Sequence, residues 1–276
     1  GRRLWRFLRC SLYLTTMPPP TPIPAGKFKI SRLLLNKKHR LESGTCLIEG
    51  RRFVAEALER PGTIEYLLLT PHFADTPEGA AFLREAGRRN AVAYTITEKQ
   101  VGQLSDTVSS QGVLAVIRLP GVGPEDILRL RGERLLLVAL DGVADPGNLG
   151  TIIRTCAWFG ADGVLLSERS VELSNPKLLR STMGAVFHVP VATGISLPDI
   201  IPALRQKGFR ILAAEAGGEP AGTVLPGGGN RLLVFGSEAH GLSPVVKEFA
   251  DAKFGIAGSG RIESLKSGVH PGPFRW

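Results

Sequence analysis

From residue 46 onward, short apolar runs alternate with segments of helical periodicity, and this alternation constrains the fold more than any other feature. Residues 46–49, 64–70, 92–96 and 113–118 read as strands. Helices are expected at 51–60, 78–89 and 98–104, the second with Ala80, Ala81, Leu83 and Ala86 turned inward. Pro120, Gly121, Gly123 and Pro124 then break the pattern, so residues 119–131 are expected to link two units. A second series places strands at 135–140, 164–166, 189–191, 210–214 and 232–235. Its helices fall at 150–159, 176–182 and 198–207. Buried strands separated by helices predict parallel α/β architecture in both parts.

A length of 276 residues with 43% hydrophobic content supports two modest cores. No apolar stretch approaches the roughly 20 residues of a membrane span, so no membrane partner is expected. Cys10, Cys46 and Cys156 are scattered and odd in number, which argues against a disulfide framework and for a cytoplasmic protein. The five histidines never fall at metal-ligand spacing, and no metal is expected.

The charge is uneven. Residues 1–60 hold 13 Lys and Arg against 4 Asp and Glu, whereas the remaining 216 residues hold 21 of each. A basic front on a neutral body suits a phosphate-bearing partner such as nucleic acid, although a solubilising surface accounts for the charge equally well. Residues 1–26 are expected to stand outside the fold as a leader. Arg2, Arg3, Arg6 and Arg9 interrupt its apolar residues, and a proline-rich stretch follows Met17. Residues 27–52 instead space Lys37, Lys38, Arg40 and Arg51 among apolar positions, as an ordered basic surface would.

Ligands of parallel sheets bind beyond the carboxyl ends of the strands, so three strand-to-loop junctions stand out. The first runs from Asp141 to Gly150. Its Asp145-Pro146-Gly147 is expected to turn tightly, with Asn148 capping a helix that carries Arg154. The second, Gly236-Ser237-Glu238-Ala239-His240-Gly241-Leu242, offers a glycine that a ligand can approach and an acid at the sheet edge. The third, from Ile256 through Gly258, Gly260 and Ser264 to Leu265, could wrap a flat ligand. Neither GxGxxG nor a Walker A loop is present, which weakens a generic nucleotide-binding reading.

Taken in order, Asn148-Gly150-Arg154, Gly236-Ser237-Glu238-Gly241-Leu242 and the Ile256–Leu265 segment closely resemble the three motifs of the SpoU (TrmH-like) RNA 2'-O-ribose methyltransferases. Asn36 to Arg40, Leu47 to Gly50 and Ser110 to Val116 resemble the RNA substrate-binding domain found in that family. The resemblance covers residues 27–265. It implies a substrate-binding domain over 27–118 and a methyltransferase domain over 132–265, with a SPOUT-type parallel sheet and a C-terminal trefoil knot, a rare exception to unknotted chains.

The resemblance further implies S-adenosylmethionine as cofactor, ribosomal RNA as substrate and a homodimer. Arg154, Asn148, Glu238 and Ser264 become the implied catalytic residues. Gly236, Ile256, Gly260 and Leu265 become cofactor-binding, and Lys37, Lys38, Arg40 and Arg51 RNA-binding. Arginine is a poor base, so Arg154 is expected to grip a phosphate and stabilise the developing alkoxide. The sequence departs from the family after Leu265. Gly268, Pro271, Gly272 and Pro273 oppose the helix that should close the knot. Residues 266–276 are therefore expected to be an aberrant tail, out of frame or truncated. The alternative this raises is an RNA-binding member of the family without activity.

Overall fold

The computed structural model describes residues 19–105 and 110–256. The chain divides into two compact units, with the boundary between Arg118 and Leu119.

The first unit carries a five-stranded sheet of β1 (Thr21–Pro22), β2 (Thr45–Glu49), β3 (Ile64–Leu69), β4 (Val92–Thr95) and β5 (Val113–Arg118), in the order β1-β4-β3-β5-β2. Strands β1, β4 and β3 run parallel, but β5 is antiparallel to both of its neighbours. This differs from the expected parallel arrangement. β5 is buried along five of its six residues, and a strand covered on both faces shows the same apolar run in either direction. Its helices are α1 (Ala25–Leu33), α2 (Lys37–Ser43), α3 (Arg51–Glu59), α4 (Pro71–Ala74), α5 (Pro77–Arg88) and α6 (Glu98–Val101). Leu34, Leu47, Tyr66, Leu68, Ile96 and Leu114 fill the core.

Helix α5 buries Gly79, Phe82 and Ala86, while Ala81 is exposed and Ala80 and Leu83 are half-buried. The inward face is therefore rotated from the expected one. Phe82 meets the Phe73 ring edge to face at 5.6 Å, and a Cβ on Gly79 would lie 2.0 Å from the Phe73 carbonyl oxygen. Close packing on α4, rather than the alanine count, sets the rotation.

The second unit contains α7 (Pro124–Arg129), β6 (Leu136–Asp141), α8 (Pro146–Trp158), β7 (Gly163–Ser167), α9 (Pro176–Thr182) and β8 (Val191–Ile195). It continues with α10 (Leu197–Gln206), β9 (Arg210–Pro220), α11 (Ala221–Val224), β10 (Arg231–Gly236), α12 (Pro244–Glu248) and β11 (Ala252–Gly255). The six strands form one parallel sheet in the order β11-β9-β10-β6-β7-β8. From β6 the chain moves toward β7, and from β10 it moves toward β11 on the opposite side. The order therefore reverses between β6 and β10, where parallel sheets open a crevice at their carboxyl ends.

Part of the expected linker belongs to this unit. Pro124 opens α7, a first-turn position that suits proline, and Ile127 is 2% exposed in a core shared with Leu137, Leu165 and Ile201. A second, smaller cluster of Leu212, Ala221, Val224 and Phe254 has Leu225, Leu233 and Phe235 packed half-buried against it.

β9 runs six residues past its expected end, and β11 shifts register against it between Lys253 and Phe254. Glu215 secures this edge, accepting from Lys247 Nζ at 2.6 Å and pairing with Lys253 Nζ at 2.9 Å. The bond from Lys247, then that from Lys253, lowers the Glu215 pKa from its ordinary 4.5. A lowered pKa stabilises the fold above the ordinary carboxylate range, and the contribution disappears as pH falls through the lowered value. Glu215→Gln should therefore melt slightly below the wild type at neutral pH, with the gap closing under acid. Melting curves from pH 7 to pH 3 check this, and a gap that does not narrow overturns it.

Candidate active site

Two loops leave the switch point side by side, since Asp141 and Gly236 are paired in register at the ends of β6 and β10. The first leads into α8. Asp145, not Asn148, caps this helix: its Oδ1 accepts from the Asn148 backbone N–H at 2.7 Å, and Pro146 occupies the first turn. The helix thus begins four residues before the expected start, and the Asn148 side chain is released from capping. Its Nδ2 donates to Glu238 Oε1 at 2.7 Å, a charge-assisted bond between the first and second loops.

Helix α8 buries Leu149, Gly150, Ile153 and Cys156, an i, i+4, i+7 face with Gly150 beside its first position. Full burial of Leu149 or Ile153 contributes roughly 1.5–3 kcal/mol each. Gly150 belongs to packing, because a Cβ there would lie 2.4 Å from the Ser181 Cβ of α9. Arg154 is exposed, and among the described residues it makes no hydrogen bond or ion pair. A guanidinium is always charged at neutral pH, so the helix that carries Asn148 also presents a cation open to an external anion. Cys156 is no nucleophile, since burial pushes its thiol up to about 12.

The second loop folds back on itself. Ser237 N–H donates to the Gly241 carbonyl at 3.2 Å, and Gly241 N–H returns a bond to the Ser237 carbonyl at 2.8 Å. The His240 N–H donates to Ser237 Oγ at 3.1 Å, and Leu242, 4% exposed, anchors the exit. The space beside Gly236, expected to admit a ligand, is taken by the loop itself. A Cβ there would lie 2.1 Å from the Gly241 carbonyl carbon. The loop holds Glu238 exposed near its tip, bonded to Asn148.

Sequence reasoning missed Asp141. This carboxylate is 4% exposed, its Oδ2 accepts from the Ser243 N–H at 2.8 Å, and its Oδ1 accepts from Arg169 Nη2 at 3.0 Å. It joins the exit of the second loop to the loop after β7. An acid ending a buried strand was the available signal.

Ile256, 54% exposed, follows β11 at the carboxyl edge. Gly260, Ser264, Leu265 and the tail 266–276 lie outside the described residues, as do residues 1–18 of the expected leader. Its residues 21–26 instead belong to the fold, as β1 paired with β4, the buried Ile23 and the start of α1. Among the described residues no cluster of His, Cys, Asp and Glu could hold a metal, and no helix is long and apolar enough to cross a membrane.

In the first unit, Lys37 and Lys38 open α2 and are exposed. Arg40 is not part of that surface. It is 4% exposed and donates through Nη1 to the carbonyls of Leu34 and Leu35 at 3.1 and 2.9 Å, tying off the end of α1. Arg51 donates to Glu78 Oε2 at 2.8 Å and lies over the Phe73 ring, so α5 holds part of its charge.

The SpoU rRNA Methylase family matches residues 135–268, and the MRM3-like substrate binding domain matches residues 26–115. The 23S rRNA (guanosine(2553)-2'-O)-methyltransferase RlmP of Bacillus subtilis (strain 168) is 30% identical over 243 residues, covering 88% of this chain and 92% of that protein. A TrmH-family structure from Porphyromonas gingivalis superposes with a TM-score of 0.75 at 30% identity, over 89% of this chain and 94% of the other. An AdoMet-bound rRNA methyltransferase from Sinorhizobium meliloti gives 0.78 at 29% identity, over 90% and 92%. With two loops of the parallel sheet joined through Asn148 and Glu238 and both domains matched in order, this chain belongs to the SpoU family of RNA 2'-O-ribose methyltransferases.

Proposed function

We propose that this protein methylates a ribose 2'-hydroxyl of ribosomal RNA, with Arg154, Asn148 and Glu238 as its reacting-end residues. The observation that carries the reading is the Asn148–Glu238 bond at the switch point, on the helix that also presents the open Arg154 cation. Bound S-adenosylmethionine supplies an electrophilic methyl group on a sulfonium. The half-buried Leu233 and Phe235 and the exposed Ile256 offer apolar surface that suits an adenosine.

Arg154 grips the phosphate beside the target ribose and offsets charge that develops on the attacking oxygen. Asn148 and Glu238 hold each other and thereby fix the wall against which the ribose is oriented. Ser264 would add a phosphate contact, and Gly260 and Leu265 would complete the adenosine site.

Lys37, Lys38 and the remaining charge of Arg51 supply sequence-independent RNA contacts from the first unit. Lys37 and Lys38 lie in the first turn of α2, and Lys38 shares part of its charge with Glu42 one turn on, 3.8 Å away. A cytoplasmic location with Cys46 and Cys156 kept as thiols completes the reading.

Incubation with ribosomal RNA and methyl-labelled cofactor tests it. Label in alkali-resistant dinucleotides marks a 2'-O-methyl group and is the expected result. Label confined to bases, or no transfer, overturns the proposal.

A further inference from the structure

Arg169 lies in the loop after β7, at the carboxyl edge of the sheet, and belongs to none of the three motif loops. That loop is pinned to the end of β6. Gly142 N–H donates to Ser167 Oγ at 2.9 Å, Ser170 Oγ to the Leu140 carbonyl at 3.3 Å, and Val171 N–H to the Val143 carbonyl at 3.1 Å. The Ser170 N–H closes the turn on the Ser167 carbonyl at 2.9 Å. The turn that carries Arg169 is therefore a platform fixed to the strand from which Asn148 and Arg154 are launched.

The side chain is fixed as well. Nη2 donates to the buried Asp141 carboxylate at 3.0 Å, yet the Arg169 side chain remains 69% exposed. Among the described residues its Nε and Nη1 make no hydrogen bond. A cation that only had to neutralise a buried acid would gain by turning all its donors inward. This one is held by a single nitrogen and offers the rest of its fork to solvent, and a planar fork matches a phosphate.

We infer that Arg169 is a second phosphate-binding cation of this site, held in place by Asp141, and that it grips a backbone phosphate of the RNA near the target ribose. The inference rests on the function proposed above for its choice of ligand. A second, independently anchored cation fixes the orientation of the RNA strand, which one arginine alone cannot do. Through Asp141, which also receives the Ser243 N–H, the grip is mechanically joined to the loop that holds Glu238.

The test uses the full chain and transcribed ribosomal RNA, with affinity measured by filter retention across a salt series. Arg169→Ala should weaken binding about tenfold and reduce the slope of log affinity against log salt by about one phosphate contact. Arg169→Lys should keep the slope and recover part of the affinity. Cofactor affinity, read by calorimetry, should match the wild type in both. Unchanged affinity and slope overturn the inference, and so does weakened binding with an unchanged slope. If the wild type binds RNA but transfers no methyl group, the proposed function fails while the salt slopes still decide the role of Arg169.

Discussion

Arg154→Ala should reduce methyl transfer to ribosomal RNA by about 10²–10³-fold while leaving the affinity for S-adenosylmethionine close to that of the wild type. That range is the loss seen when one preorganised charge-stabilising donor is removed from an active site. The direction follows from the geometry. Arg154 is exposed on α8, is not among the residues that helix buries, and makes no hydrogen bond or ion pair among the described residues. Its removal therefore leaves no cavity and no stranded partner, so the fold should melt as before. What disappears is a permanent positive charge six residues along the helix from Asn148, where the ribose and its phosphate are proposed to sit. Arg154→Lys should recover only part of the rate, because an ammonium keeps the charge but cannot make a two-pronged contact with phosphate. Single-turnover rates with calorimetry and melting curves on the same samples check the prediction. An equal loss of cofactor affinity, or a drop in melting temperature, would move Arg154 from the reaction to the scaffold.

The alternation of apolar runs and helical segments made most of the parallel sheet of the second unit legible, because β6 and β7 are buried almost throughout and each crossover is helical. β11, with Phe254 its one buried residue, gave no such run. What the pattern could not carry was direction, and β5 turned antiparallel within the first unit without altering its apolar run. The start of α8 was legible in principle. Asp-Pro at a helix entry is a capping signal, and reading it as a free turn assigned the capping role to Asn148. The site itself is a matter of long-range pairing. Asn148 meets Glu238 across 90 positions, and Asp141 reaches Arg169 across 28 and Ser243 across 102. Local spacing holds no trace of such contacts, so motif resemblance found Asn148 and Glu238 while Asp141 and Arg169 stayed hidden. Arg40 shows the converse error. Charge counting placed it on a basic surface, but its guanidinium serves two carbonyls in the interior.

Gly236→Ala should destabilise the second unit by about 1–3 kcal/mol and cost more in activity than its single methyl group suggests. A Cβ at this position would lie 2.1 Å from the Gly241 carbonyl carbon and 2.3 Å from both its oxygen and the Leu242 nitrogen. All three are backbone atoms, so no rotamer change relieves the contact. The loop must open, which breaks the paired Ser237–Gly241 bonds and lifts Leu242 from the core. Opening also draws Glu238 away from Asn148 and Ser243 away from Asp141, so both ties between the loop and its neighbours slacken together. Gly222→Ala provides the control. It lies in α11 of the same unit with nothing within 4 Å of the added carbon, and alanine there should be neutral or slightly stabilising. Melting temperature and methyl-transfer rate, measured side by side, should fall together for Gly236→Ala and stay level for Gly222→Ala. If Gly236→Ala melted like the wild type and retained full activity, the closed loop would not be what positions Glu238.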